Sequence, residues 1–118
     1  MTPQAFDRFC RGLPAVTHVN QWGGSDVYKV GGKIFAIATH SGPGEGLAYT
    51  VKVSDMAYEL LIEHGLARPA PYLARAKWVQ LVARDALPDD DLKAYLVQAH
   101  GLIAAKLTRA ARRDLGLA

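Results

Sequence analysis

Cysteine is almost absent from the chain: Cys10 is the sole representative and excludes an internal disulfide. A single thiol also points away from oxidising compartments, where small domains are stapled by several bridges. No apolar stretch approaches the roughly 18 residues that a bilayer-spanning helix needs. Met1 to Arg8 hold no apolar segment behind a basic one, the pattern of a secretory signal. A cytoplasmic protein with no membrane partner is expected.

Serine is scarce as well. Ser25, Ser41 and Ser54 have no spaced histidine and base and no nucleophile elbow. The four histidines, His18, His40, His64 and His100, stand far apart without an HExxH or CxxC partner, so metal-ligand spacing is lacking. Gly31-Gly32-Lys33 is followed by Ile34 where a phosphate loop requires Ser or Thr. Cys10 lies beside Phe9 on an apolar helix face, the setting of a packing thiol. Asp89-Asp90-Asp91 fall where acids cap a helix start and oppose its dipole. No catalytic, cofactor-binding or metal-ligating residue emerges, and a non-enzymatic protein is expected.

What the chain does contain is material for one core. Of its 118 residues, 50% are hydrophobic and 21% charged, and the mean hydropathy is +0.01. These values fit a single soluble domain over residues 1–118. Thr2-Pro3 opens a helix with Phe6, Phe9, Cys10 and Leu13 on one face. Gly31-Gly32 joins two strands, 25–30 and 33–38, because adjacent glycines meet the positive φ of a two-residue hairpin turn. That turn predicts Tyr28 and Val30 on one face with Phe35 and Ile37, and Val27 and Lys29 on the other with Ile34 and Ala36. Residues 47–53 alternate, with Leu47, Tyr49, Val51 and Val53 inward; 17–22 form a weaker first strand, and 39–46 a long hairpin loop. Ser54-Asp55 open a second helix with Met56, Leu60 and Leu61 as its apolar side and Gly65 as its stop. Pro69-Ala70-Pro71 breaks the chain, residues 76–82 form a last strand, and a long helix from Asp89 carries a stripe from Leu92 to Leu107. The order αββββαβα predicts an α+β two-layer sandwich of helices on an antiparallel sheet, with its inner face formed by Tyr28, Phe35, Tyr49 and Val51 beneath Phe6, Phe9, Leu96 and Ile103.

Charge is unevenly spread. Residues 1–65 carry five basic and six acidic side chains, and residues 66–118 nine and five. Lys106, Arg109, Arg112 and Arg113 stand at the exit of the last helix with no acid between them. Such a cluster either complements the helix dipole or contacts phosphates. Lys29 and Lys52 fall on the outer sheet face, with Lys33, Arg75 and Lys77 at its border.

The run Val27-Tyr28-Lys29-Val30-Gly31-Gly32-Lys33-Ile34-Phe35-Ala36 resembles the signature of the MmcQ/YjbR family of small bacterial proteins. Trp22, Pro69-Ala70-Pro71-Tyr72-Leu73 leading to Lys77-Trp78-Val79, and Ala104-Ala105-Lys106-Leu107 agree with the family in order and spacing, so the resemblance covers nearly the whole chain. The sequence departs from it at Ala99-His100, where Ser-Tyr is expected. The resemblance implies a CyaY-like, frataxin-type fold, and family members are described as having a double-wing motif and labelled DNA-binding. Frataxin-type iron handling fits poorly, since that activity uses an acidic first helix and here Asp7 faces Arg8 and Arg11.

The leading expectation is a monomeric protein that binds DNA phosphates through Lys106, Arg109, Arg112 and Arg113, supported by Lys29, Lys33, Lys52, Arg75 and Lys77. The alternatives are a protein-interaction module using the exposed sheet face, and a small-molecule site between the sheet and residues 69–72, walled by Trp22, Tyr72 or Trp78.

Overall fold

Helix α1 (Pro3–Arg11) begins where the sequence predicts: the Thr2 hydroxyl accepts the Ala5 N–H at 3.1 Å, and Pro3 occupies the first helical position. A computed structural model describes residues 1–21, 24–39, 48–71 and 73–117. Phe6 and Cys10 are buried beneath α1, with Phe9 and Leu13 half-buried beside them. Burial, with Asp7 nearby, pushes the Cys10 thiol up and leaves it a packing group.

Strands β1 (Val16–Gln21), β2 (Ser25–Val30), β3 (Lys33–Thr39) and β4 (Ala48–Lys52) follow as consecutive antiparallel neighbours. Gly31 and Gly32 have φ of +59° and +80°, which side chains rarely tolerate. Next to this turn the register is the expected one, Val30 opposite Lys33 and Lys29 opposite Ile34. Beyond it the pairing shifts. A bulge sets Tyr28 opposite Ala36 and Val27 opposite Ile37, so Phe35 is an extra residue. Two expectations are thereby corrected: Ala36 joins the face of Tyr28, and Ile37 moves to the face of Val27. The bulge keeps both Phe35 and Ala36 fully buried, which a regular ladder would not allow on one face. The hairpin loop predicted over 39–46 lies, from residue 40, outside the described residues.

Cross-strand partners share a face, so Tyr28, Ala36 and Val51, with Ala38 and Tyr49, form the inner side. The Phe6 ring stacks on Tyr49 at 4.1 Å and meets Tyr28 edge-on at 5.7 Å. Helix α3 (Asp89–Ala104) packs on β3 and β4 through Leu92, Leu96, Ala99, His100 and Ile103. Both tyrosine hydroxyls are satisfied: Tyr28 donates to Asp7 at 2.8 Å and Tyr49 to the Met1 carbonyl at 2.7 Å.

Helix α2 (Asp55–Glu63) is capped by Ser54, whose hydroxyl accepts the Ala57 N–H at 3.1 Å, and Gly65 follows it with φ +71°. Its buried line is Ala57 and Leu61, whereas Met56 and Leu60, expected to face inward, are exposed. The helix lies against β5 (Ala67–Pro69), so the direction of packing outweighs side-chain size. Strand β5 is unexpected: three residues ending in proline hardly signal a strand, but at the sheet edge a missing N–H costs no ladder bond. Strand β6 (Trp78–Leu81) inserts between β4 and β5, giving the order β1-β2-β3-β4-β6-β5. A 3-10 turn (Ala74–Ala76) and Lys77, left-handed at φ +64°, replace the predicted start of that strand.

The long helix also ends early. Ala104 is the last residue of α3, Leu107 lies beyond it, and Thr108 caps a separate helix α4 (Arg109–Asp114) by accepting the Ala111 N–H at 3.0 Å. Leu107 is buried directly on the hairpin turn, and a Cβ placed on Gly31 would come within 2.6 Å of its Cδ1. Gly31 therefore meets a backbone demand and a packing demand at once. Among the described residues no helix is long and apolar enough to cross a membrane.

Candidate anion-binding site

The outer face of the sheet carries Lys29, opposite Ile34, and Lys52, opposite Trp78. Lys52 is half-buried, and its ammonium donates to the Ala76 carbonyl. Burial lowers its pKa, and the charges of Lys106 and Lys77 lower it further against a partial offset from Asp55. Lys77 holds its ammonium 4.7 Å from the centre of the Tyr58 ring. Lys33 and Lys106 are exposed and line the same cleft, a hollow of about 380 Å³ walled by Ile34, Ile37, Leu73, Trp78 and Ile103. The fold positions both: Lys33 follows the Gly31-Gly32 turn, and Lys106 precedes the Leu107 that packs on Gly31.

The structure thus gathers Lys33, Lys52, Lys77 and Lys106 from four distant parts of the chain. Lys29 is adjacent through its pairing with Ile34, and Arg75 is exposed on the 3-10 turn that follows Leu73. Arg109, Arg112 and Arg113 stand on α4 and not, as the sequence suggested, on the exit of α3. Arg109 and Arg113 are exposed and Arg112 is half-buried; among the described residues none of the three lines the cleft.

Ion pairs lie elsewhere. Among the described residues they join the Met1 ammonium to Asp89 at 3.3 Å, Arg11 to Asp7 at 2.9 Å and His18 to Asp26 at 2.7 Å. None of the nine candidate cations has such a partner among these residues. The acids on α3 also act differently from the capping role expected: Pro88 holds the cap position without a side-chain bond, and Asp89 receives the chain's amino terminus.

A second hollow of about 190 Å³ shares the walls Ile37 and Leu73 with the cleft, and Thr39, Thr50 and Gln80 add polar groups there. Trp78 lines the first hollow, while Trp22 and Tyr72, the other expected aromatic walls, lie outside the described residues. Val27, Ile37, Thr50 and Trp78 are all buried, so the outer face presents a furrow and not an open apolar sheet. Sequence reasoning missed the aliphatic walls Ile34, Leu73 and Ile103. Only the placement of Ile34 opposite Lys29 hinted at one. His100, the departure from the expected Ser-Tyr, is buried, lies 2.8 Å from the Pro14 carbonyl through Nε2, and sets its ring edge-on to Phe35. Its contacts are those of a packing residue. Among the described residues no three His, Cys, Asp or Glu side chains converge to hold a metal ion.

Fold and site together define an α+β protein whose helices cover one sheet face and whose Lys33 and Lys106 flank a cleft between Ile34, Ile37 and Trp78 of the sheet and the end of α3. Residues 11–102 match the YjbR family model, and the chain belongs to that family. It is similar in fold to the crystal structure of Deinococcus radiodurans protein DR2400, which contains the family-model domain DUF419. The TM-score is 0.85 at 23% identity, over 99% of this chain and 89% of that one. No curated protein matches the sequence.

Proposed function

We propose that the protein binds DNA through its phosphates and catalyses no reaction on it. The observation that carries this reading is the gathering of Lys33, Lys52, Lys77 and Lys106 at one end of the sheet, none of them in an ion pair among the described residues and Lys52 only partly offset by Asp55. Lys106 and Lys77 act on Lys52 as like charges, and a polyanion relieves that repulsion while releasing its own condensed counterions. Lys29 and Arg75 border the same region, and Arg109, Arg112 and Arg113 on α4 extend the positive surface along the chain. The protein acts as a monomer in the cytoplasm and reads backbone charge in preference to base sequence.

The test is binding to a random-sequence duplex at several salt concentrations. Lys33→Ala with Lys106→Ala should weaken binding similarly across sequences and reduce the log–log salt slope by roughly one unit per lost contact. Arg8→Ala with Lys93→Ala removes the same charge from the groove between α1 and α3 and should cost less. The triple replacement of Arg109, Arg112 and Arg113 by Ala measures how far the footprint reaches along α4. Equal losses in the two double variants would reduce the effect to diffuse attraction. Absence of wild-type binding near physiological salt would transfer the outer face to a protein partner.

A further inference from the structure

Charge alone does not account for the outer face, because the lysines border a hollow whose walls are hydrocarbon. A phosphate backbone has no use for Ile34, Ile37, Leu73 and Ile103, whereas a ligand with an apolar body does. We propose that the cleft binds a small organic acid with an aliphatic body, its carboxylate between Lys33 and Lys106 and its chain against Ile34, Ile37, Leu73 and Trp78.

Size, polarity and charge agree. The hollow of about 380 Å³ falls within the range of roughly 300 to 1000 Å³ usual for small-ligand sites, and the adjoining hollow beyond Ile37 and Leu73 leaves room for a longer chain. Apolar walls with a few convergent charges are the usual composition of such sites. Lys33 and Lys106 have no ion-pair partner among the described residues, so a carboxylate meets donors that none of the described acids occupies. Lys106 and Lys77 act on Lys52 as like charges that Asp55 offsets only in part, and an anion at Lys106 relieves some of that repulsion. An ammonium on the same aliphatic body would add a further like charge. The polarity of the head group is therefore specified as well as the body.

The experiment uses the wild-type protein with its isoleucine δ1 methyls labelled, titrated with octanoate in the absence of DNA. Ile34, Ile37 and Ile103 line the cleft and Ile62 on α2 does not. Saturable shifts at the first three with Ile62 silent are expected for octanoate, and no such shifts for acetate, which lacks the body, or octylamine, which reverses the charge. Lys33→Ala with Lys106→Ala should weaken octanoate by about tenfold or more, the usual size for losing charge-assisted hydrogen bonds. Leu73→Trp, which fills the cleft and leaves the lysines, should abolish octanoate binding and preserve duplex binding. Octylamine shifting the same methyls equally, octanoate causing no saturable shift, or the double lysine variant binding octanoate as well as wild type would each overturn the proposal. Octanoate and duplex are measured separately, so failure of one reading is distinguishable from failure of the other.

Discussion

The two faces of one sheet differ in how tightly they are packed and in where they put charge. On the inner face each tyrosine hydroxyl has a partner, Asp7 for Tyr28 and the Met1 carbonyl for Tyr49, within a fully packed aromatic cluster with Phe6. On the outer face Lys52 is partly desolvated beside Lys106 and Lys77, and the hollow beneath Lys33 is unfilled by side chains. Paired hydroxyls in a packed core on one side and like charges beside a hollow on the other separate what holds the fold from what is available for binding.

Phe6→Ala should have the largest effect. Phe6 is fully buried between the two tyrosines, so its loss should cost about 3–5 kcal/mol in a urea unfolding curve. A cost smaller than that of the outer-face variants would break the contrast. Gly31→Ala comes next, at about 1–3 kcal/mol, since it combines a positive φ with a clash against Leu107. The same change should weaken binding at the cleft by displacing Lys106 along with Leu107.

Tyr49→Phe should cost about 1–2 kcal/mol by leaving the Met1 carbonyl without its buried donor. It carries a pH signature too. Burial, partly opposed by Arg84, pushes the folded Tyr49 hydroxyl from its ordinary 10.0 up to about 12. A raised acid stabilises the fold fully below the unfolded value, so this contribution is intact below pH 10 and is lost as pH rises towards 12. Stability curves against pH should fall less steeply in that window for Tyr49→Phe.

The smallest effect has the opposite sign. Lys52→Met removes a half-buried charge from a repulsive cluster and should stabilise the protein at low salt, by at most about 0.5 kcal/mol because solvent screens the site. The gain should shrink as salt is added. Destabilisation instead would mean that the hydrogen bond to Ala76 outweighs the repulsion, and the outer face would then resemble the inner one.

Much of the fold was legible because it follows from neighbours in the chain. Thr2, Ser54 and the Gly31-Gly32 pair act within a few residues, and each does what its chemistry dictates. The bulge at Phe35 was not legible, because it answers to the helices above the sheet. Strand β5 escaped notice because its pairing to β6 makes up for a segment with little strand character of its own. The end of α3 had a signal that was overlooked: Thr108 is a good cap inside a run that otherwise continues the helix.

For the site, the sequence alone determined which residues were charged and that Lys106, Arg109, Arg112 and Arg113 cluster with no acid between them. It also determined the hairpin that sets Lys29 and Lys33 close to Ile34, because a two-residue turn fixes local register. Only the tertiary structure decided that Lys52, Lys77 and Lys106 belong with them and that Arg109, Arg112 and Arg113 stand on a helix of their own. Lys106 lies 73 residues from Lys33 in the sequence, and what joins them is Leu107 packing on Gly31. A hydrophobic contact between distant segments carries no periodicity, so no local pattern announces which charges it will bring together.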